Sequence, residues 1–343
     1  MALTSDILSH LACPVCGFCL ASRGSELVCD NCGKVYKVFG DIPDLRHCTG
    51  APSPLFAEDE RRAEELRRRS AHLSVQDMMR LCYQLPASRT AQSVETSADY
   101  MLRGRERMKD LVAVFSKAVE AKGWAIRADG PALDLGCGCA STTGYLTERF
   151  SLVFGINPAK DELVVAEMVN RTCFANRMVL VCAFGEHLPF QDDTFDFVLA
   201  SDVIEHVVDP QALLLEAERV LKPGGIFCLT SPNQFNLISP EGHVKVRFVG
   251  LVPTPLRETY VRWRTGGASW VMRNVRPLSY GSLRKSLRRL RQSDFDIVMY
   301  RPGPHKPRTW LARVARCFPR LARWFLVHFS GQHEVIIRKR NAV

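Results

Sequence analysis

The middle of the chain alternates between short apolar runs and segments whose apolar residues recur every three or four positions. The apolar runs predict strands at residues 132–135, 152–156, 178–183, 195–200 and 225–231. The helical spacing predicts helices at residues 141–150, 160–170 and 210–221. Strands that alternate with helices form parallel, doubly wound sheets, so the predicted fold class is α/β.

The flanking segments carry weaker patterns. Residues 58–69 mix both signs of charge at helical spacing and predict a solvated helix, while residues 96–122 predict a longer helix that Gly123 ends. Residues 295–300 and 334–338 predict two last strands that pair antiparallel at the sheet edge. The predicted division is a small module at 1–48, a charged helical linker at 49–95, and a main domain at 96–343 with an insertion at about 234–281.

Composition excludes several classes of protein. Of the 343 residues, 46% are apolar and 24% are charged, which is ordinary for a globular chain and unlike disordered or collagen-like sequences. No apolar run approaches the roughly 20 residues that span a bilayer, and residues 1–10 lack the pattern of a secretory signal. Thirteen cysteines, most of them in apolar runs, favour a reducing compartment, so we expect a cytoplasmic protein.

Positive charge is concentrated at the C-terminal end. Residues 256–343 hold twenty Lys or Arg and four Asp or Glu, a net +16 within a chain whose total is +10. Such segregation indicates a polyanionic partner, RNA or an anionic membrane surface, against the alternative of solubility and local ion pairs. Residues 309–329 place Trp and Leu beside Arg, which is typical of a helix on anionic lipid, although Pro319 would break it. A substrate lid, a dimer surface and RNA binding are the alternatives.

Four cysteines near the N-terminus have the spacing of a metal site. Cys13 and Cys16 form one C-x2-C pair, and Cys29 and Cys32 form a second. Two such pairs aim four thiolates at one point and predict a structural, tetrahedral Zn²⁺ site, with a redox dithiol pair as the alternative. The segment, which ends in residues 40–45 (GDIPDL), resembles the Trm112-like zinc ribbons that accompany methyltransferases.

A glycine loop follows the first predicted strand of the main domain. Gly136 and Gly138 allow a ligand to approach the backbone, and Asn157 ends the next strand 21 residues after Gly136. That offset is typical of a residue that binds a ribose. Ser141 stands where a dinucleotide-binding loop has its third glycine, which disfavours NAD.

Several further motifs identify the resemblance of the main domain. Residues 133–138 (LDLGCG), 186–198 (EHLPFQDDTFDFV), 202–207 (DVIEHV) and 219–225 (RVLKPGG) resemble the class I S-adenosylmethionine-dependent methyltransferases. The resemblance implies that Asp134, Gly136 and Gly138 hold the amino acid end of S-adenosylmethionine and that Asn157 binds its ribose. The family usually has Asp or Glu at the position of Asn157. Phe184 is predicted either to pack on adenine or to lie in the core. Glu186 and Ser201 complete the predicted cofactor site.

Three polar residues after the fourth strand are candidates for the acceptor side. Asp202, Glu205 and His206 are similar to the E-x-x-E-H segment of the ubiquinone-pathway O-methyltransferases, where a divalent metal is implicated. His206 as a general base, a metal cluster and a structural helix start are the three alternatives. The predicted function is methylation of an oxygen or nitrogen on a small or lipid-linked metabolite near a membrane surface. The protein is then expected to lie at the inner face of that membrane. RNA base methylation and a non-catalytic binding module are the alternatives.

Overall fold

Residues 3–47 fold around a small antiparallel sheet. The computed structural model describes residues 3–47, 54–85, 91–242, 244–266, 275–298 and 319–341. A short helix, α1 (Ser5–His10), precedes the strands β1 (Leu20–Arg23), β2 (Glu26–Cys29), β3 (Val35–Phe39) and β4 (Ile42–Pro43), which pair in that order. Gly17 and Gly33 follow the cysteine pairs with φ of +73° and +71°, as the knuckle geometry requires.

Four helices connect this module to the main sheet. They are α2 (Pro54–Arg69), α3 (Val75–Gln84), α4 (Ala91–Leu102) and α5 (Gly104–Ala121), with a 3₁₀ turn at Ser70–His72. The helix predicted at 58–69 is present within α2, but one face of it is covered, because Ala63 and Leu66 are buried. Arg62 on the same helix pairs with Asp161 at 2.6 Å, so α2 packs against the main domain.

The single helix predicted over residues 96–122 is divided into α4 and α5, with the break at Arg103. Gly104 opens α5 directly against the chain at Ser141. A Cβ on Gly104 would lie 2.7 Å from the Cβ of Ser141, closer than any real contact. The absent side chain therefore lets the helical segment approach the glycine loop, a long-range contact that helical spacing alone does not predict.

Seven strands form the main sheet. They are β5 (Pro131–Leu135), β6 (Leu152–Asn157), β7 (Met178–Cys182), β8 (Phe195–Ser201), β9 (Leu221–Pro232), β10 (Ser293–Val298) and β11 (Gln332–Lys339). Their spatial order is β10-β11-β9-β8-β5-β6-β7. Strands β5 to β9 are parallel neighbours, and β11 lies antiparallel between β9 and β10. The predicted α/β fold and the antiparallel last pair are confirmed.

Six helices of the main domain are described after β5. They are α6 (Thr143–Leu146), α7 (Lys160–Cys173), α8 (Pro210–Val220) and α9 (Thr254–Thr265), followed by Tyr280–Leu287 and Pro319–Phe329. The helix predicted at 141–150 is shorter, because the structure has only one helical turn there, α6. The strand predicted from residue 225 begins earlier, at Leu221.

Successive residues of the parallel strands enter two different cores. On one face, Ala132 and Phe197 pack with Phe115 of α5. On the other, Leu133 and Val198 share one buried cluster with Leu213 of α8 and with residues of the N-terminal module. This alternation follows from the two-residue period of a strand that is buried on both sides.

The N-terminal module is joined to the β7 side of the main domain. The Leu45 amide donates to the carbonyl of Cys182 at 2.8 Å, and the Ala12 amide donates to the carbonyl of Pro189 at 2.9 Å. The nearly buried Arg46 side chain bridges Asp44 and Asp59, each at 2.9 Å. Backbone pairing and a shared core therefore hold the module against the domain that carries the glycine loop.

The C-terminal basic segment is described in part. Its described part starts with the helix Pro319–Phe329. Residues 299–318, which include the first part of the predicted 309–329 segment, lie outside the described residues, as does His243 in the insertion, so the break predicted at Pro319 stays a prediction. Leu321 and Trp324 are more than half exposed on this helix. Within the described residues, no helix combines the length and the apolar character needed to cross a bilayer.

Candidate functional site

The glycine loop lies at the carboxyl end of β5, where the chain order reverses across the sheet. Strand β5 pairs with β6 on one side and with β8 on the other, so the ligand crevice of an open α/β sheet is expected at the carboxyl ends of β5 and β8. Gly136 has φ +84° and Gly138 has φ +51°. A Cβ on Gly136 would lie 2.3 Å from Cγ2 of Val203, so only glycine fits.

The backbone of the loop is fixed by the neighbouring strand. The amides of Gly136 and Cys137 both donate to the carbonyl of Ile156, each at 2.9 Å. The Gly136 amide is therefore already bonded within the protein. Gly136 therefore offers no free amide donor, and its missing side chain makes room for Val203; its predicted contact with a cofactor stays a prediction.

Asp134 lies beneath the loop and is 1% exposed. Its carboxylate accepts hydrogen bonds from Thr143 at 2.6 Å and from Thr142 at 3.3 Å. Burial raises the pKa of Asp134 to about 6, against the opposing effect of the two hydroxyls. The side chain therefore ties β5 to the start of α6, and its predicted contact with the amino acid end of a cofactor stays a prediction.

Asn157 ends β6 beside the same loop, and its side chain contacts a residue that the sequence analysis did not select. Its Nδ2 donates to Oε2 of Glu162 at 2.8 Å. Glu162 lies in the first turn of α7, and its Oε2 is 3.7 Å from the position that a Cβ on Gly138 would take. In the sequence, Glu162 is visible only as a carboxylate five residues after the end of β6. The helical pattern of this segment does not distinguish it from the other polar residues of α7.

The other predicted cofactor residues lie along the same edge with different surroundings. Phe184 is half-buried just after β7. The carboxylate of Glu186 accepts from the amide of Val208 at 2.9 Å, and the hydroxyl oxygens of Ser201 and Thr230 lie 3.3 Å apart. Glu186 and Ser201 thus have partners within the protein that position the segment after β8.

The candidate acceptor-side residues follow β8, which borders β5 on the side away from Asn157. They are Asp202, Glu205 and His206. Asp202 has φ +57° and accepts from Gln332 at 2.6 Å and from Thr230 at 3.0 Å. The side chain of Glu205 is 0% exposed, and that of His206 is 43% exposed. Among the described residues, no hydrogen-bond partner meets either carboxylate oxygen of Glu205.

The burial of Glu205 decides its protonation. Desolvation raises the pKa of Glu205 well above its usual range, and the nearby Asp202 raises it further. His206 Nε2 is 3.8 Å from Glu205 Oε1, too far for a hydrogen bond. The neutral acid is therefore the favoured form, which leaves the more exposed His206 as the better candidate for a base.

The four predicted zinc ligands converge. Their sulfurs all lie within 4.8 Å of one another. Cys13 and Cys32 sulfurs are 3.6 Å apart, and Cys16 and Cys29 sulfurs are 3.4 Å apart. Thiolates about 2.3 Å from one tetrahedral ion would be separated by about 3.8 Å, whereas a disulfide bond is only about 2.05 Å long. The separations therefore fit a shared metal better than a disulfide.

The four cysteines lie close enough together to share a metal ion, whereas the candidate residues after β8 do not. Within the described part of the chain, the four cysteines form a group of metal-ligand size, whereas Asp202, Glu205 and His206 do not. The hydroxyl of Tyr36 lies 3.1 Å from the sulfur of Cys13 and is buried with it. The N-terminal module thus has both the ligands and a polar neighbour that orients one of them.

Comparison with known proteins agrees with the geometry of the crevice. Residues 133–229 match the family model of a methyltransferase domain. Human mitochondrial ubiquinone biosynthesis O-methyltransferase is 33% identical over 108 residues, which cover 31% of this chain and 29% of that protein. The sarcosine/dimethylglycine N-methyltransferase of Halorhodospira halochloris is 31% identical over 119 residues, covering 34% of this chain and 42% of that protein.

The aligned segment spans less than half the length of these relatives. Among solved structures, an S-adenosylmethionine dependent methyltransferase from Mesorhizobium loti has 19% sequence identity and a TM-score of 0.43, covering 65% of this chain and 96% of that one. The segment that matches the methyltransferase domain model begins in β5 and ends in β9.

Proposed function

We propose that this chain is an S-adenosylmethionine-dependent methyltransferase that methylates an oxygen or nitrogen of a small or lipid-linked metabolite. The observation that carries the proposal is the glycine loop at the β5/β8 crevice, where Gly136 is held against Val203 with no space for a side chain. The match of residues 133–229 to a methyltransferase domain supports the same activity. Class I methyltransferases bind their cofactor at this edge of the sheet, as the resemblance implies.

The residues around the loop fit such a cofactor. S-adenosylmethionine supplies an electrophilic methyl group on a sulfonium when it is bound. Gly136 and Gly138 are proposed to lie against the amino acid end of the cofactor, and Asp134 fixes the strand and helix that flank the loop. Asn157 lies at the end of the adjacent strand, at the side of the crevice where the ribose is expected. Phe184 is proposed to border the adenine.

On the acceptor side, His206 is proposed as the general base. It follows β8, and its imidazole is partly exposed, so an acceptor can reach it. Glu205 stays neutral through burial and supports the position of the turn, because its carbonyl accepts from the amide of Arg276 at 2.7 Å. Asp202 accepts hydrogen bonds from Thr230 and Gln332, which fix the start of the segment that carries His206.

A small acceptor is favoured by the names of the relatives. One relative is named as an O-methyltransferase of ubiquinone biosynthesis, and the other as an N-methyltransferase of sarcosine and dimethylglycine. These two acceptors differ in the atom that is methylated, which is why the proposal names oxygen or nitrogen. The exposed Leu321 and Trp324 on a basic helix favour an acceptor that lies near anionic lipid.

The N-terminal module is proposed to bind one structural Zn²⁺ through Cys13, Cys16, Cys29 and Cys32. Four protein ligands leave no open position for catalysis. A module of this size buries too little core to fold alone, so the metal would contribute to its stability. A Trm112-like role, in which the ribbon supports the methyltransferase domain, is consistent with the Leu45–Cys182 backbone pairing.

Transfer of tritium from methyl-labelled S-adenosylmethionine tests the activity. The full chain is incubated with a small-molecule extract and, separately, with total RNA, both taken from cells that lack the protein. We expect label in the small-molecule fraction and a loss of about 10²–10⁴-fold with His206→Ala. Label confined to RNA would replace the proposal with the RNA alternative, which the net charge of residues 256–343 keeps open.

A further inference from the structure

The end of β6 has an amide where the resemblance leads one to expect a carboxylate. Asn157 is nearly buried, and its Nδ2 is engaged by Oε2 of Glu162 at 2.8 Å. An amide side chain has one acceptor oxygen, whereas a ribose diol offers two donors. Asn157 alone therefore provides a weaker site for the two hydroxyls than a carboxylate would.

Glu162 brings a carboxylate back to the same place. Its Oε2 is 3.7 Å from the Cβ position of Gly138, so the carboxylate lies between the end of β6 and the glycine loop. Glu162 is partly exposed, which leaves it accessible from the crevice. It occupies the first turn of α7, where the helix dipole stabilises a negative charge.

We propose that Glu162 supplies the carboxylate that accepts hydrogen bonds from the ribose hydroxyls, and that Asn157 holds it in position. This inference rests on the proposed binding of S-adenosylmethionine. The acidic group is displaced from the strand end to the following helix, and the Asn157 amide has become its donor. A purely local role for Glu162, in which it only orders the turn before α7, is the competing explanation.

Two substitutions separate charge from shape. Glu162→Gln preserves the size of the side chain but removes its charge, and we expect S-adenosylhomocysteine to bind about ten-fold more weakly. Asn157→Asp alone would place two carboxylates within 2.8 Å of each other and should also weaken binding. If the residue at the end of β6 bound the ribose by itself, the same substitution would instead strengthen binding. The double variant exchanges carboxylate and amide between the two positions and should recover most of the affinity.

Calorimetry with the zinc-loaded full chain measures these affinities. S-adenosylhomocysteine is compared with its 2′,3′-dideoxy analogue, which lacks both ribose hydroxyls. The loss caused by Glu162→Gln should disappear with the analogue, because the partner of the carboxylate is then absent. Glu167→Gln is the matched control on the same helix, since Glu167 pairs with Arg67 at 2.9 Å, and it should leave the affinity unchanged.

The outcomes distinguish this inference from the function on which it rests. If the wild type binds neither ligand, the proposed function fails, and this inference with it. If the wild type binds S-adenosylhomocysteine and Glu162→Gln binds it equally well, only the role of Glu162 is overturned. An equal loss with both ligands would assign Glu162 to local structure instead, and unfolding midpoints of each variant establish that the chains compared are folded.

Discussion

Replacing Gly136 with alanine isolates the contact on which the cofactor crevice depends. The new methyl group would be strained by φ +84° and would lie 2.3 Å from Cγ2 and 3.1 Å from Cγ1 of Val203. A left-handed conformation costs a non-glycine residue about 1–2 kcal/mol, and overpacking adds about 1–3 kcal/mol. We therefore expect Gly136→Ala to lower the free energy of unfolding by about 2–5 kcal/mol.

Two controls divide this loss into its parts. Gly123 has φ +68° with no atom within 4 Å of its Cβ position, so Gly123→Ala should incur the conformational cost alone. Val203→Ala removes both clashing methyl groups, and combining it with Gly136→Ala should recover about 1–3 kcal/mol relative to the sum of the single variants. Urea unfolding of the four variants and the wild type gives these values. Equal losses at Gly136 and Gly123, with no coupling to Val203, would refute the packing argument.

Three further predictions concern the metal, the pH dependence and the basic helix. Cys29→Ser should abolish binding of one Zn²⁺ per chain and destabilise the N-terminal module; elemental analysis that finds no zinc in the reduced wild type would contradict it. Because the pKa of Asp134 is raised to about 6, its contribution to stability should be full below about pH 4 and fall by about 3 kcal/mol as the pH rises through 6. Asp134→Asn should flatten that part of the pH profile of urea unfolding, and an unchanged profile would count against it. Replacing Trp324 and Phe325 with Ser should sharply reduce sedimentation with anionic vesicles but barely change RNA affinity, because the arginines remain. Absence of vesicle binding by the wild type, together with sub-micromolar RNA binding, would favour the RNA alternative.

Local patterns predicted the central sheet well. Strands β5 to β8 are almost entirely buried, so their sequences are mostly apolar and are visible as short runs. The four cysteines were equally clear, because two C-x2-C pairs restrict four thiolates to a small volume. In both cases the signal lies within a short stretch of sequence.

The contacts that sequence reasoning missed join distant parts of the chain. Gly104 lies close against Ser141, and the buried residues Ala63 and Leu66 of α2 share a cluster with Val165 of α7. A pattern of charges gives the amphipathic character of a helix but does not identify the surface that covers it. Arg62 could therefore be placed on a helix, but its partner could not be predicted.

The candidate site shows the same limit on a smaller scale. Motifs predicted that Glu205 follows the fourth parallel strand, but they could not predict that its side chain is fully buried and its neutral form favoured. They also selected Asn157 without the neighbour that bonds to it. Glu162 belongs to a different element, and the contact exists only because α7 starts beside the end of β6.

Equilibrium binding of S-adenosylmethionine to the zinc-loaded full chain tests the central claim most directly. We expect one site per chain in the wild type and no detectable site in Gly136→Arg, since the larger side chain would fill the crevice beside Val203. The control is a Gly136→Arg chain that retains its zinc and a cooperative unfolding transition. Absence of binding by the wild type, or wild-type affinity in the folded Gly136→Arg variant, would contradict the placement of a methyl donor at the glycine loop.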